Sequence, residues 1–208
     1  TSYKQNRPAP PDELIPQFDY VKDISEQFGF VNIGVANYEA DDVIGTLAKI
    51  YSKDNEVHIV TGDRDILQCI NEQVEVWLIR KGFNIYHHYT LNRFNEEYAL
   101  HPLQLIDIKA FMGDSADGYP GVKGIGEKTA IKLIQSYGSV ENVLDNIESL
   151  TPNQQKKIAI DKENLILSKQ LAKIYTDVPI DTTALYEEMK YTHSLNHILS
   201  ICNEHELY

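Results

Sequence analysis

The sequence predicts an α/β fold: a mostly parallel central sheet flanked by helices, followed by a mainly helical region. Three observations carry this. Short apolar runs of strand type alternate with amphipathic helical patterns up to about residue 90. The links between them are short, which implies right-handed crossovers between parallel strands. From Leu91 onward the apolar residues fall at helical spacing.

In DELIPQFDYVKDISEQF (12–28), Leu14, Phe18, Val21, Ile24 and Phe28 are spaced as one helical face. Pro16 sits near the first turn, where a missing N–H costs little, and Gly29 ends the helix. FVNIGV (30–35) reads as a strand. A helix over about 40–52 aligns Val43, Leu47 and Ile50. EVHIV (56–60) is a short strand, a helix follows around 64–70, and VEVWLI (74–79) is another strand. KGFNIYHHYT (81–90) suits a hairpin or edge strand. Helices are expected at 92–99, 103–112, 127–137, 139–147, 153–174 with a break, and 194–205. The chain therefore divides into an α/β region, 1–90, and a helical region, 91–208, without a clean linker.

At 42% hydrophobic residues the chain can build a real core. No apolar run approaches the roughly 18 residues needed to span a bilayer, and the opening TSYKQNRPAPP is no signal peptide, so no membrane partner is expected. Cys69 and Cys202 are the only cysteines, which points to a reducing, cytoplasmic compartment. His87 and His88 would face opposite sides of a strand, and both read as surface residues. The net charge of −12 argues against nucleic acid as a partner, unless many of the acids gather around bound cations.

The acids are grouped. Glu39, Asp41 and Asp42 follow the first expected strand, Asp63 and Asp65 in VTGDRD follow the second, and Asp114 and Asp117 in FMGDSADG follow the helix at 103–112. Each group has an ordinary reading: first-turn charges on a helix, a cap, a polar turn. Together they differ. In an open parallel sheet, sites form at the carboxyl ends of strands. Seven carboxylates converging there would destabilise the fold without counter-charge, which hard divalent cations supply. Two such ions about 4 Å apart are a device for phosphodiester hydrolysis.

PGVKGIGEKTAIKLIQSYGS (120–139) comes next. Gly121, Gly124 and Gly126 allow a tight turn with exposed N–H groups before a helix beginning near Glu127. Such a helix start binds phosphate, and Lys123, Lys128 and Lys132 add positive charge. A dinucleotide site is excluded, because no hydrophobic strand precedes the glycines.

YEADDVIGTLAK, IVTGDRDILQ and FMGDSADGYPGVKGIGEKTAIKLI, in this order, resemble the flap endonuclease superfamily, and most closely the bacterial 5′ nucleases. These occur as the N-terminal domain of DNA polymerase I or as free-standing proteins. The resemblance runs from about Tyr3 to about Pro179. It implies a metal-dependent 5′-3′ exonuclease or flap endonuclease acting on DNA with a 5′ flap or 5′ end, as a monomer. It implies two Mg²⁺ or Mn²⁺ ions, one held by Glu39, Asp41, Asp42 and Asp63, the other by Asp65, Asp114 and Asp117. Asp63 also counts among the catalytic positions. Lys4 and Arg7 match basic positions of the family's arch, with Lys4 stabilising charge on the scissile phosphate. A helix–three-turn–helix element over about 103–137 would grip duplex DNA through Gly121, Lys123, Gly124, Gly126, Lys128 and Thr129, with K⁺ at the glycine turn. The resemblance also implies a first strand ending in an Asp-Gly, which would lie before Thr1. The alternative is therefore a catalytically incomplete module that binds branched or nicked DNA.

Overall fold

The computed structural model describes residues 9–82 and 84–207. Lys4 and Arg7 lie outside the described residues. The chain forms two compact units, one of residues 44–177 and one of residues 9–43 with 178–207.

Helix α1 (Ile15–Gln27) has Pro16 in its first turn and ends before Gly29 at φ +86°. Helix α2 (Ala40–Tyr51) carries Asp41 and Asp42 in its first turn. Strand β1 (Val57–Thr61) leads through a 3-10 helix, Asp65–Cys69, to β2 (Val74–Lys81) and β3 (Ile85–Tyr89). The helices that follow are α3 (Leu91–Tyr98), α4 (Leu105–Met112), α5 (Glu127–Tyr137), α6 (Val140–Asp145), α7 (Pro152–Ile160) and α8 (Lys162–Ala172). Two more, α9 (Leu185–Glu188) and α10 (Leu195–Glu204), complete the series. The sequence placed most of these within a residue or two. It expected one interrupted helix over 153–174, which is α7 and α8 meeting at Asp161, and it did not foresee α9. Side-chain caps mark several starts: Thr90, Ser139 and Ser194 each accept a backbone N–H, and Thr151 with Gln154 forms a capping box.

In the 44–177 unit, the sheet order is β1-β2-β3. β1 runs parallel to β2, with Ile59 opposite Val76, and β2 runs antiparallel to β3, with Leu78 opposite His87. Of two pairings one is parallel, so the described sheet is mixed, not mostly parallel as expected. Residues 62–73 make the parallel crossover, close to the minimum of roughly a dozen residues such a connection needs. Val74, Val76 and Leu78 alternate into the core and are all but fully buried. Phe94, Phe111, Ile134, Ile158 and Leu165 join them, each contributing about 1.5–3 kcal/mol on burial. Helix α4 buries Ile106, Asp107, Ile108, Ala110 and Phe111, nearly all round its circumference, and packs against α5 and α8. That central helix sets the position of everything attached to its ends.

In the other unit, residues 30–35 form no strand. A strand exists only through its ladder bonds, and these residues have no ladder partner among the described residues; Phe30 and Val31 are exposed. The face of α1 expected to be buried is largely exposed too, at Leu14, Phe18 and Val21, with Ile24 alone buried. His205 ties α10 to α1, contacting Tyr20 Oη at 2.9 Å and Gln27 Oε1 at 3.0 Å.

His87 and His88 do face opposite ways, but both are half-buried, not the surface groups expected. His88 stacks on Trp77 and reaches Glu75 at 2.6 Å. His87 stacks on Tyr89 instead, with its Nε2 buried, because the outer end of β3 is covered on that face by α3 residues such as Glu97.

Candidate metal centre and nucleic-acid interface

The crossover after β1 delivers Asp63 and Asp65. Thr61 Oγ1 accepts the Asp63 N–H at 3.0 Å, and Asp63 Oδ1 accepts the Asp65 N–H at 2.8 Å. Asp63 thus closes an Asx-type turn just before the 3-10 helix, whose N-cap is Arg64, and stays exposed, while Asp65 is turned inward. Helix α4 delivers the second pair. Gly113, at φ +69°, stops the helix, and the chain closes a loop back on itself through Asp114 N–H to Tyr119 O and Val122 N–H to Phe111 O. Within that loop Asp114 Oδ1 accepts the N–H groups of Ala116 at 2.8 Å and Asp117 at 3.2 Å.

Carboxylate oxygens of Asp65, Asp114 and Asp117 lie within 4.8 Å of one another. Between two of them sits a residue the sequence reading passed over. Lys109 Nζ is 2.6 Å from Asp65 Oδ1 and 2.6 Å from Asp114 Oδ2. Its signal was faint: a lone lysine in the apolar stretch LIDIKAFM, one turn before the helix ends. There it also suits the negative end of the helix dipole.

The three charges shift one another. Burial pushes Asp65 above the usual carboxylate range; Lys109 pulls it down, and the charges of Asp63 and Asp114 push it up again. Burial raises Asp114 as well, but Lys109 and the N–H groups of Asp117 and Ala116 outweigh this and hold it low. Two carboxylates sharing one ammonium therefore move in opposite directions: Asp65 is the more strongly desolvated and also feels Asp63 and Asp114, while Asp114 is less desolvated and accepts backbone N–H bonds as well. Burial lowers Lys109, yet its two carboxylate partners more than compensate and keep it charged. The site already accepts a cation between oxygen ligands, and its all-oxygen donor set fits a hard divalent ion. A cavity of about 100 Å³ opens beside it, lined by Arg64, Asp65, Tyr98, Lys109 and Glu127 among others. Arg64 donates to Tyr98 Oη at 2.9 Å and lies 3.5 Å from Glu127.

Glu39, Asp41 and Asp42 form their own half-buried group at the start of α2, where Asp42 Oδ2 accepts the Glu39 N–H at 3.3 Å. They belong to the unit of residues 9–43 and 178–207, and Asp63, Asp65, Asp114 and Asp117 to the other.

The glycine turn differs from expectation at one end. Gly121 does not expose its N–H. It is buried, and donates to the fully buried Ser168 Oγ at 3.1 Å. The Lys123 N–H is taken by Asp161 Oδ2 at 2.9 Å, and Gly124 O accepts from Lys157 Nζ at 2.8 Å. The outward part is shorter: Gly124, Gly126 and the first turn of α5, with the side chains of Lys123, Lys128 and Lys132 exposed and Thr129 half-buried. Gly126 is the N-cap of α5; the Glu127 and Lys128 N–H groups come before the first bonds of the helix, which Thr129 and Ala130 N–H make to the Gly126 carbonyl at 3.0 Å each.

The described structure is thus a small mixed sheet with acids at a strand end, joined to a helical region with a glycine turn. Comparison with known proteins agrees. The N-terminal resolvase-like domain of the 5′-3′ exonucleases matches residues 1–99, and their C-terminal SAM fold matches residues 100–194. The chain belongs to the 5′-3′ exonuclease family. It is 51% identical to a 5′-3′ exonuclease of Bacillus subtilis over 181 residues, covering 87% of this chain and 61% of that protein. It is 44% identical to DNA polymerase I of Lactococcus lactis, covering 86% of this chain and 21% of that protein. The chain thus spans less than two thirds of the length of these relatives. The fold is shared with bacteriophage T5 5′-exonuclease bound to zinc (TM-score 0.70, 20% identity, 98% of this chain and 75% of that one). It is shared equally with a T5 flap endonuclease complexed with DNA and metal ions (TM-score 0.70, 20% identity, 97% and 77%). No helix among the described residues is long and apolar enough to cross a membrane.

Proposed function

We propose that this chain is the nuclease part of a 5′-3′ exonuclease or flap endonuclease that hydrolyses phosphodiester bonds in DNA bearing a 5′ flap or 5′ end. The observation that supports it most is the meeting of Asp65, Asp114 and Asp117 around a cation-holding position. Those three are the ligands we assign to one divalent ion, Mg²⁺ or Mn²⁺. Glu39, Asp41, Asp42 and Asp63 are assigned to a second. When bound, such ions lower the pKa of water and neutralise charge on the phosphate oxygens.

The chain's own groups do the rest. Asp114 is held in place by two backbone N–H groups, so its ligand oxygens are aimed before any ion arrives. Lys4 and Arg7 are assigned to the scissile phosphate by family likeness alone. The α4–turn–α5 segment, about 103–137, is the proposed helix–three-turn–helix element. Gly124, Gly126, Lys123, Lys128 and Thr129 are its proposed phosphate contacts, and Gly121 supports the turn from inside. A K⁺ ion at that turn would share the Gly124 carbonyl with Lys157. Action as a monomer in the cytoplasm, with an α/β region over 1–90 and a helical region over 91–208, completes this reading. Backbone contacts of this kind read shape, not bases, and weaken steeply as salt rises.

The test uses a labelled 5′-flap duplex with Mg²⁺ or with EDTA. Wild-type protein should release the flap only with metal. The double variant D114N/D117N should lose at least about 100-fold in rate, the upper end of what losing only the groups around a metal ligand costs, while still binding the duplex. Binding without cleavage by wild-type protein at every Mg²⁺ and Mn²⁺ concentration would leave only the DNA-binding module.

A further inference from the structure

We propose that Lys109 is a built-in counter-ion of the acid site, which holds its ligands together when no metal is bound and competes with the metal for them. The inference rests on the reading of Asp65, Asp114 and Asp117 as ligands of one ion. The geometry is direct. One ammonium spans Asp65 and Asp114 at 2.6 Å each, joining the β1 crossover to the end of α4. The Lys109 side chain is only 20% exposed, so water screens it little.

Asp114 is committed on both sides: Oδ1 to two backbone N–H groups, Oδ2 to Lys109. A divalent ion entering the cluster therefore meets an oxygen already shared with a positive charge. It must push the ammonium aside or tolerate it close by, and either costs binding free energy. The same ammonium prevents the carboxylates from splaying apart in the empty site. Lys109 is thus a positioning residue. It lowers the metal affinity of the site and keeps its shape in return. Its placement explains how a chain of net charge −12 can bring these acids together before any ion binds.

The test is Mn²⁺ binding followed by electron paramagnetic resonance, with thermal melting by circular dichroism in EDTA and in Mg²⁺. K109M should bind Mn²⁺ more tightly, by about tenfold or more, the scale on which groups around a ligand tune metal affinity. It should melt below wild type in EDTA and gain more from Mg²⁺ than wild type does. K109R, which keeps the charge, should bind Mn²⁺ closer to wild type than K109M does. K109Q, whose amide can still donate to one carboxylate, is measured alongside in case K109M does not fold, and should also bind more tightly than wild type. D114N separates the two ideas. If D114N loosens Mn²⁺ while the foldable Lys109 variants bind no more tightly than wild type, the counter-ion role is wrong and the metal site stands. If D114N leaves Mn²⁺ binding at the wild-type value, the metal site falls and this inference with it.

Discussion

Gly121→Ala is the substitution whose outcome the structure dictates most tightly. Gly121 has φ +61°, in the left-handed region. A Cβ there would stand 2.3 Å from Gly113 N, 2.6 Å from Phe111 O and 2.7 Å from Met112 C. All three are backbone atoms at the end of α4, so no side chain can swing away. The reverse holds at Gly113, whose added Cβ would meet the Pro120 carbonyl at 2.6 Å. The two glycines face each other across the neck of the loop that carries Asp114 and Asp117. The left-handed conformation costs a non-glycine residue about 1–2 kcal/mol. Overpacking against a rigid wall adds about 1–3 kcal/mol. The sum is about 2–5 kcal/mol, and at about 2–4 °C per kcal/mol for a chain of this size the melting temperature should fall by roughly 4–20 °C. Thermal melting in EDTA, followed at the far-ultraviolet helix signal, reads this directly. Gly62→Ala is the control. A Cβ added at Gly62 meets nothing within 4 Å, and the variant should stay within about 0.5 kcal/mol of wild type. A G121A protein melting with wild type, or a G62A protein falling as far as G121A, would refute the reasoning.

Other outcomes follow from the same geometry. Ser168→Ala strands the buried Gly121 N–H and should cost about 1–3 kcal/mol in urea unfolding; no loss would mean the bond is unimportant. Lys169→Met leaves Asp107, only 7% exposed, with the Val140 N–H at 2.8 Å but without the Lys169 ammonium at 2.7 Å. A loss of about 2–4 kcal/mol is expected, partly restored in the double variant D107N/K169M. His87 sets an acid limb. Burial lowers its pKa from 6.5, with Arg93 and Arg80 adding to this against Glu97. A depressed folded-state pKa gives stability that is complete above pH 6.5 and is lost as pH falls through the folded value. Urea midpoints of wild type should therefore drop between pH 7 and pH 5 more than those of His87→Gln, and equal slopes would count against this.

Much of the site was legible before folding. The acids of Asp63, Asp65, Asp114 and Asp117 stand where a strand or helix ends, and local rules place such ends well: a glycine at positive φ, a cap, a change of hydrophobic period. Helix α5 and its glycine start were read correctly for the same reason. The inward turn of Gly121 was not legible, because its partner Ser168 is 47 residues further on. The exposed face of α1 and residues 30–35, which have no strand ladder among the described residues, show the converse. Their pattern asks for a partner, and a pattern cannot state whether one is supplied.

The sequence by itself determined the periodic elements, the two acid turns and the glycine-rich helix start, since each depends on neighbours a few residues away. Only the tertiary structure decided that Lys109 lies between Asp65 and Asp114, and that α4 is the buried axis carrying it. Those facts depend on chain closure over tens of residues. There the packing of the whole core, not any local preference, chooses which charges meet.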